Sequence, residues 1–157
     1  MRVLAFDPGY ERLGVAVLEK EKGKKEILLH SECIRTKKSL SFPERLTALG
    51  AAAEALIEQW KPDCVALEEV FFEKNAKTAM QVAEVRGALI YISGSYELPV
   101  HHYAPSEVKI AITGYGRSDK AAIAGMVPKL LVLPPRKRLD DELDAIAVGI
   151  TCLASVR

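Results

Sequence analysis

The sequence predicts an α/β domain in which a mixed sheet, an antiparallel three-strand meander extended by parallel strands, is flanked by helices. Three observations carry that expectation. Residues 2–36 hold three β-rich runs parted by turn signals. From residue 41 onward, helical stretches alternate with short apolar strands, the order expected of a sheet with helices packed on it. A chain of 157 residues with 49 % hydrophobic and 27 % charged side chains suits one compact core, so residues 1–157 are expected to form a single domain.

Arg2–Asp7 alternates and runs into Pro8-Gly9, a strand followed by a tight turn. Leu13–Lys20 and Ile27–Thr36 read as the second and third strands, with the charged Glu21–Lys25 segment as the solvated hairpin tip between them. Ser41 and Glu44 stand at capping-box spacing with Pro43 near the helix start, which opens a helix to about Trp60. Leu46, Leu49, Ala53, Leu56, Ile57 and Trp60 form its apolar face. Pro62 ends it, because proline disfavours helical geometry in the residue before it. Cys64–Glu69 is a short apolar strand closing on two acids, Val70–Asn75 a loop and Ala76–Ser93 a second long helix. Pro99–Ala104 reads as the last strand and Ser106–Thr113 as a short helix. Asp119–Leu131 is helical with Pro128 inside it; the ring removes a backbone donor and crowds the carbonyl four residues back, so a kink or early break is expected there. Pro134–Arg138 is a loop, and Leu139–Ser155 the final helix.

Several function classes drop out. The longest apolar stretches, Gly87–Ser95 and Ala145–Ala154, fall far short of the roughly 20 residues that span a bilayer. An acid as early as Asp7 does not fit a signal peptide, so the cytoplasm is the expected compartment. Cys33, Cys64 and Cys152 have no zinc-site spacing and read as buried structural thiols. His30, His101 and His102 are assigned no chemistry. The net charge of +1 leaves a polyanionic partner open, because nucleic-acid contacts depend on local patches rather than on the sum.

Four carboxylates stand out. Asp7 lies at the carboxyl end of the first strand, where α/β sheets place ligand-binding groups; a turn-capping aspartate is the plainer alternative. Glu68 follows Val65-Ala66-Leu67, a segment expected to be buried, and acids are rarely buried unless paired or coordinating. Asp141 and Asp144 are three residues apart and share a helical face. Asp140 and Glu142 fit the simpler role of negative charge at a helix N-terminus. Together, two strand-end acids and a helical acid pair form the oxygen-donor set that two Mg²⁺ ions require for phosphodiester cleavage. Spacing alone leaves two choices open: Glu68 against Glu69, and Asp141 against Asp140.

Phe6-Asp7-Pro8-Gly9, Cys33-Ile34-Arg35-Thr36, Leu67-Glu68-Glu69-Val70-Phe71-Phe72, Lys74-Asn75-Ala76, Arg86-Gly87, Glu97-Leu98-Pro99-Val100 and Asp141-Glu142-Leu143-Asp144-Ala145 follow one another over nearly the whole chain. In that order they resemble the bacterial RuvC Holliday-junction resolvases. The resemblance implies a ribonuclease-H-like fold, a homodimer, and paired symmetric nicks in a four-way junction during DNA recombination and repair. It implies divalent metal, with Mg²⁺ expected, two ions per site, and Mn²⁺ as a substitute. It selects Asp7, Glu68, Asp141 and Asp144 as the catalytic, metal-holding acids. Lys109 and Lys120 match family positions that contact junction DNA near the site, and Phe71 matches an aromatic that stacks on exposed bases.

Lys74 and Arg86 extend the expected positive surface; Lys77 and Arg117 serve equally well as solubilising charges. A branch-migration motor complex is a further candidate partner that the sequence itself does not identify. Two other readings compete. Asp7-Pro8-Gly9 through Gly14 also resembles the first phosphate loop of actin-like ATPases and sugar kinases, which need two large domains and a second Asp-Gly phosphate loop, neither of which fits these 157 residues. A catalytically silent junction-binding protein of the same fold is the alternative, and the four intact acids argue against it.

Overall fold

Strand residues alternate between the two sides of a sheet, and in the computed structural model, which describes residues 1–69 and 76–156, both sides are covered. The strands are β1 (Arg2–Asp7), β2 (Arg12–Glu19), β3 (Ile27–Arg35), β4 (Cys64–Glu68) and β5 (Val100–Tyr103). The helices are α1 (Phe42–Trp60), α2 (Ala76–Ser95), α3 (Pro105–Thr113), α4 (Lys120–Leu130) and α5 (Asp140–Ser155). The sheet runs β3-β2-β1-β4-β5. β1, β2 and β3 pair antiparallel, while β4 pairs parallel with both β1 and β5. The expected meander and its parallel extension are therefore both present.

Leu4 and Phe6 of β1 and Val65 and Leu67 of β4 face α1 and α2, where Leu49, Leu56, Val85 and Leu89 close the core. Each such side chain contributes roughly 1.5–3 kcal/mol on leaving water. Val3 and Ala5, with Cys64 and Ala66, face the opposite side and meet α3, α4 and α5. That second side is built from small residues because α5 lies close on it. A Cβ on Gly149 would stand 2.3 Å from Leu18 Cδ1. Every residue of α5 from Ala145 to Leu153 is buried, as expected of a helix apolar all round.

At the start of α1, Glu44 accepts hydrogen bonds from the Ser41 backbone N–H (2.7 Å) and hydroxyl (2.6 Å). The helix closes on Lys61, in the left-handed conformation at φ 46°, just before Pro62. The early break expected at Pro128 does not occur: α4 runs through it and ends two residues later, at Leu130. A proline in the last turn leaves few helical bonds beyond it to lose. Cys64 and Cys152 are buried with their sulfurs 3.9 Å apart, but Cys33 is only half-buried, contrary to expectation. Among the described residues no helix is long and apolar enough to cross a membrane.

Candidate active site

The pleat places the first two acids. Val3, Ala5 and Asp7 lie on one side of β1, and Cys64, Ala66 and Glu68 on the same side of β4. The parallel register sets Phe6 beside Leu67, so Asp7 and Glu68 stand at one level, at the carboxyl ends of neighbouring strands. Both project to the side that α5 covers.

The other two acids come from the first turns of α5. Their closeness to the strands depends on Gly14, which pairs with Asp7 across the β1–β2 ladder. A Cβ on Gly14 would fall 1.9 Å from the Asp141 carbonyl oxygen and 3.2 Å from the Asp7 Cβ. Only a residue without a side chain lets the helix start settle there. Asp7, Glu68 and Asp144 line one cavity of about 250 Å³ together with Lys109 and Lys120. Asp141 is not among the residues lining it. The Arg12 guanidinium lies 3.3 Å from Asp141 Oδ2, and the Cys33 thiol donates weakly to the same oxygen at 4.0 Å.

The electrostatics divide the four acids into two pairs. Asp144 accepts from Lys120 Nζ at 2.9 Å, and that bond raises the Lys120 pKa. Asp141 has Arg12. Among the described residues no ion pair holds Asp7 or Glu68. Burial pushes the Asp7 pKa from 3.8 up to about 8, reinforced by the charges of Glu68, Asp144 and Asp141 and opposed by Lys120. Burial likewise raises Glu68 from 4.5 to about 7, with Asp144 adding to the rise and Lys120 and Lys109 opposing it. Half-buried carboxylates crowded in this way call for positive charge from outside the chain.

As the side chains stand, no three acid, imidazole or thiol groups among the described residues converge tightly enough to hold a metal ion. Lys120 and Arg12 occupy the two α5 acids instead. The donor chemistry nonetheless fits a hard divalent cation: carboxylate oxygens, two of them without an ion-pair partner, at one end of the sheet.

The other expected contacts are dispersed. Lys109 and Lys120 reach the acid cavity. Arg86 does not; its guanidinium engages His102 Nδ1 at 3.0 Å, while its Nε is buried without a partner. Arg117 is exposed. Phe71, Phe72 and Lys74, and the side chain of Lys77, lie outside the described residues. Asp140 is exposed, in keeping with a helix-terminus charge. Glu142 is not: it is 3 % exposed and paired with Arg136 and Arg138, which corrects the expectation of a simple dipole acid. Sequence reasoning gave Arg12 no role and read Cys33 as a structural thiol; the nearness of both to Asp141 depends on how the start of α5 seats on β2 and β3 rather than on local pattern.

Comparison with known proteins bears on this arrangement. Residues 3–152 match the family model described as crossover junction endodeoxyribonuclease RuvC. The crossover junction endodeoxyribonuclease RuvC of Thermosipho melanesiensis is 42 % identical, over 98 % of this chain and 97 % of its own length. Among solved structures, Thermus thermophilus RuvC in complex with Holliday junction substrate superposes with a TM-score of 0.89 at 31 % identity, covering 98 % of this chain and 93 % of that one. The yeast mitochondrial Holliday junction resolvase Ydc2 matches at a TM-score of 0.72, over 96 % of this chain and 76 % of that one; at 12 % identity it is a likeness of fold alone.

Proposed function

Because the chain belongs to the RuvC family of crossover junction endodeoxyribonucleases, we propose that it resolves Holliday junctions by paired, metal-dependent nicks made at the cluster of Asp7, Glu68, Asp141 and Asp144. The observation that carries this reading is the pair of neighbouring strand-end acids, Asp7 and Glu68, held at raised pKa with no ion pair among the described residues. The start of α5 brings two more acids over the same end of the sheet.

In this reading residues 1–157 act as one nuclease domain. The four carboxylates hold Mg²⁺, two ions per site, with Mn²⁺ able to replace it. Bound ions of this kind supply the Lewis-acid chemistry that phosphodiester hydrolysis needs. Asp7 and Glu68 give up their protons on loading, so the site fills more readily as pH rises toward 8. Lys120 and Arg12 hold Asp144 and Asp141 until then and are released beside the incoming DNA, where each adds attraction for phosphate without reading sequence. Lys109, on the cavity wall, does the same. Phe71 stacks on an unpaired base, and Lys74 and Arg86 extend the contact with the junction arms.

Two symmetric cuts need two sites, which a two-fold homodimer supplies. The outward side of α2, with Met80 62 % exposed and open space around Gly87, suits close packing against a second copy. Cytoplasmic residence and a branch-migration motor as partner complete the proposal.

The test is a labelled four-way junction incubated with the wild-type protein in Mg²⁺ and in chelator. Symmetric nicks in Mg²⁺ alone are expected. Binding without nicks in either condition would favour a silent junction-binding protein.

A further inference from the structure

Glu142 sits between Asp141 and Asp144 in sequence, about 100° round the helix from Asp141, and it turns inward to a set of groups that the cleavage chemistry does not use. Its carboxylate receives the Arg136 guanidinium at both oxygens, Nη1 at 3.2 Å from Oε2 and Nη2 on Oε1. The same Nη2 donates to the Ser31 carbonyl at 2.6 Å and to the Ser31 hydroxyl at 3.0 Å. Arg138 Nε lies 3.5 Å from both Glu142 Oε1 and Ser31 Oγ, and its Nη1 donates to the Pro134 carbonyl at 3.0 Å. The Arg138 side chain is 6 % exposed and that of Glu142 4 %. The first turn of α5, the loop before it and the edge strand β3 are thereby tied at one point.

We infer that Glu142 is a positioning residue: clamped through Arg136 and Arg138 to Ser31 of β3, it sets where Asp141 and Asp144 stand over the ends of β1 and β4. The inference rests on the reading of those acids as metal ligands. Glu142 and Arg138 are buried while Arg136 is 44 % exposed; burying such ions contributes little net stability over apolar residues of like volume, whereas the directional bonds fix geometry. The site is sensitive to that geometry, because a misplacement of about 1 Å can cost on the order of 100-fold in rate.

A second feature agrees. Cys33, two residues beyond Ser31 on the same face of β3, pairs with Gly14 and brings its thiol to Asp141. Gly14 in turn bears the Asp141 carbonyl. The clamp draws the helix start down, and Gly14 sets how far it comes. Glu142 itself need touch neither metal nor DNA.

The experiment compares wild type, Glu142→Gln, and the double variant Glu142→Leu with Arg138→Met. The double variant removes one charge of each sign, so a change in metal affinity cannot be ascribed to net charge, and its apolar side chains refill the buried volume. Mn²⁺ binding is measured by titration calorimetry without DNA, junction binding by gel shift in chelator, and folding by thermal melting. Both variants are expected to melt cooperatively and bind the junction within twofold of wild type, yet to bind Mn²⁺ about 10–100-fold more weakly. Single-turnover cutting should fall at low Mn²⁺ and recover in excess. A folded double variant that binds Mn²⁺ as tightly as wild type would overturn the inference. So would failure of both variants to fold, which would make the clamp a determinant of stability. A wild-type protein that binds no Mn²⁺ would instead sink the metal-site reading beneath it.

Discussion

Replacing Asp7 by asparagine should destroy cleavage and stabilise the metal-free protein. The carboxyl titrates near 3.8 in an unfolded chain and near 8 in the folded one, so between those values the native state binds the proton more tightly. Stability is then fully present below pH 3.8 and is lost as pH rises toward 8. Integrating from 3.8, the penalty reaches about 2 kcal/mol at pH 5 and about 4 kcal/mol at pH 7. The isosteric amide carries no such penalty. For a domain of this size about 4 kcal/mol corresponds to a rise in melting temperature of roughly 8–16 °C. Calorimetric melts in chelator at pH 5, 6, 7 and 8 would read the difference directly, and it should widen with pH. Adding Mg²⁺ should narrow it, because the cation stabilises the wild type and finds one ligand fewer in the variant. An Asp7→Asn protein that melts below wild type in chelator at pH 8, or a gap that does not change with pH, would refute the reasoning.

Three further outcomes are expected. Gly14→Ala puts a Cβ against the Asp141 carbonyl; it should cost about 1–3 kcal/mol by denaturant titration and cut the nicking rate at least tenfold, and wild-type values for both would dismiss the close approach as unimportant. Lys109→Ala should weaken junction binding alike for all sequences and lower the slope of log affinity against log salt by about 1; an unaltered slope would remove Lys109 from the DNA surface. Phe71→Ala should bind and cut less well with its melting temperature kept, at a cost of about 1–3 kcal/mol in binding if a base stacks there; an aggregated variant would speak for a core role.

The strands were legible because half-buried sheets write their pleat into the sequence. The alternation Val3, Ala5, Asp7 against Leu4, Phe6 already says that Asp7 points away from the side packed by Leu4 and Phe6. The same logic applied to Cys64–Glu68 places Glu68 with it, and three-residue spacing places Asp141 with Asp144. What could not be read was long-range contact. Arg12 meets Asp141 across 129 residues and Arg136 meets Ser31 across 105, and no local pattern encodes those partners. Glu142 is instructive, since Arg138 four residues earlier offered a hint of pairing, yet burial by β3 was invisible without the sheet. The continuation of α4 through Pro128 depends on where the helix ends, two residues on, a boundary that the sequence placed only to within a residue or two.

The claim that Asp7, Glu68, Asp141 and Asp144 form the cutting site stands or falls with the register of the acids, because each of two elements carries a neighbouring decoy. Glu69 follows Glu68 at the end of β4, and Asp140 precedes Asp141 at the start of α5. Single-turnover cutting of a four-way junction in Mg²⁺ by Glu68→Gln, Glu69→Gln, Asp140→Asn and Asp141→Asn, with junction affinity measured alongside, tests that register directly. The account predicts that Glu68→Gln and Asp141→Asn lose cleavage by at least about 100-fold while binding as tightly as wild type or tighter, since each removes a negative charge facing phosphate, and that Glu69→Gln and Asp140→Asn cut within a few-fold of wild type. Full activity in Glu68→Gln or Asp141→Asn, with loss in the adjacent variant, would contradict it.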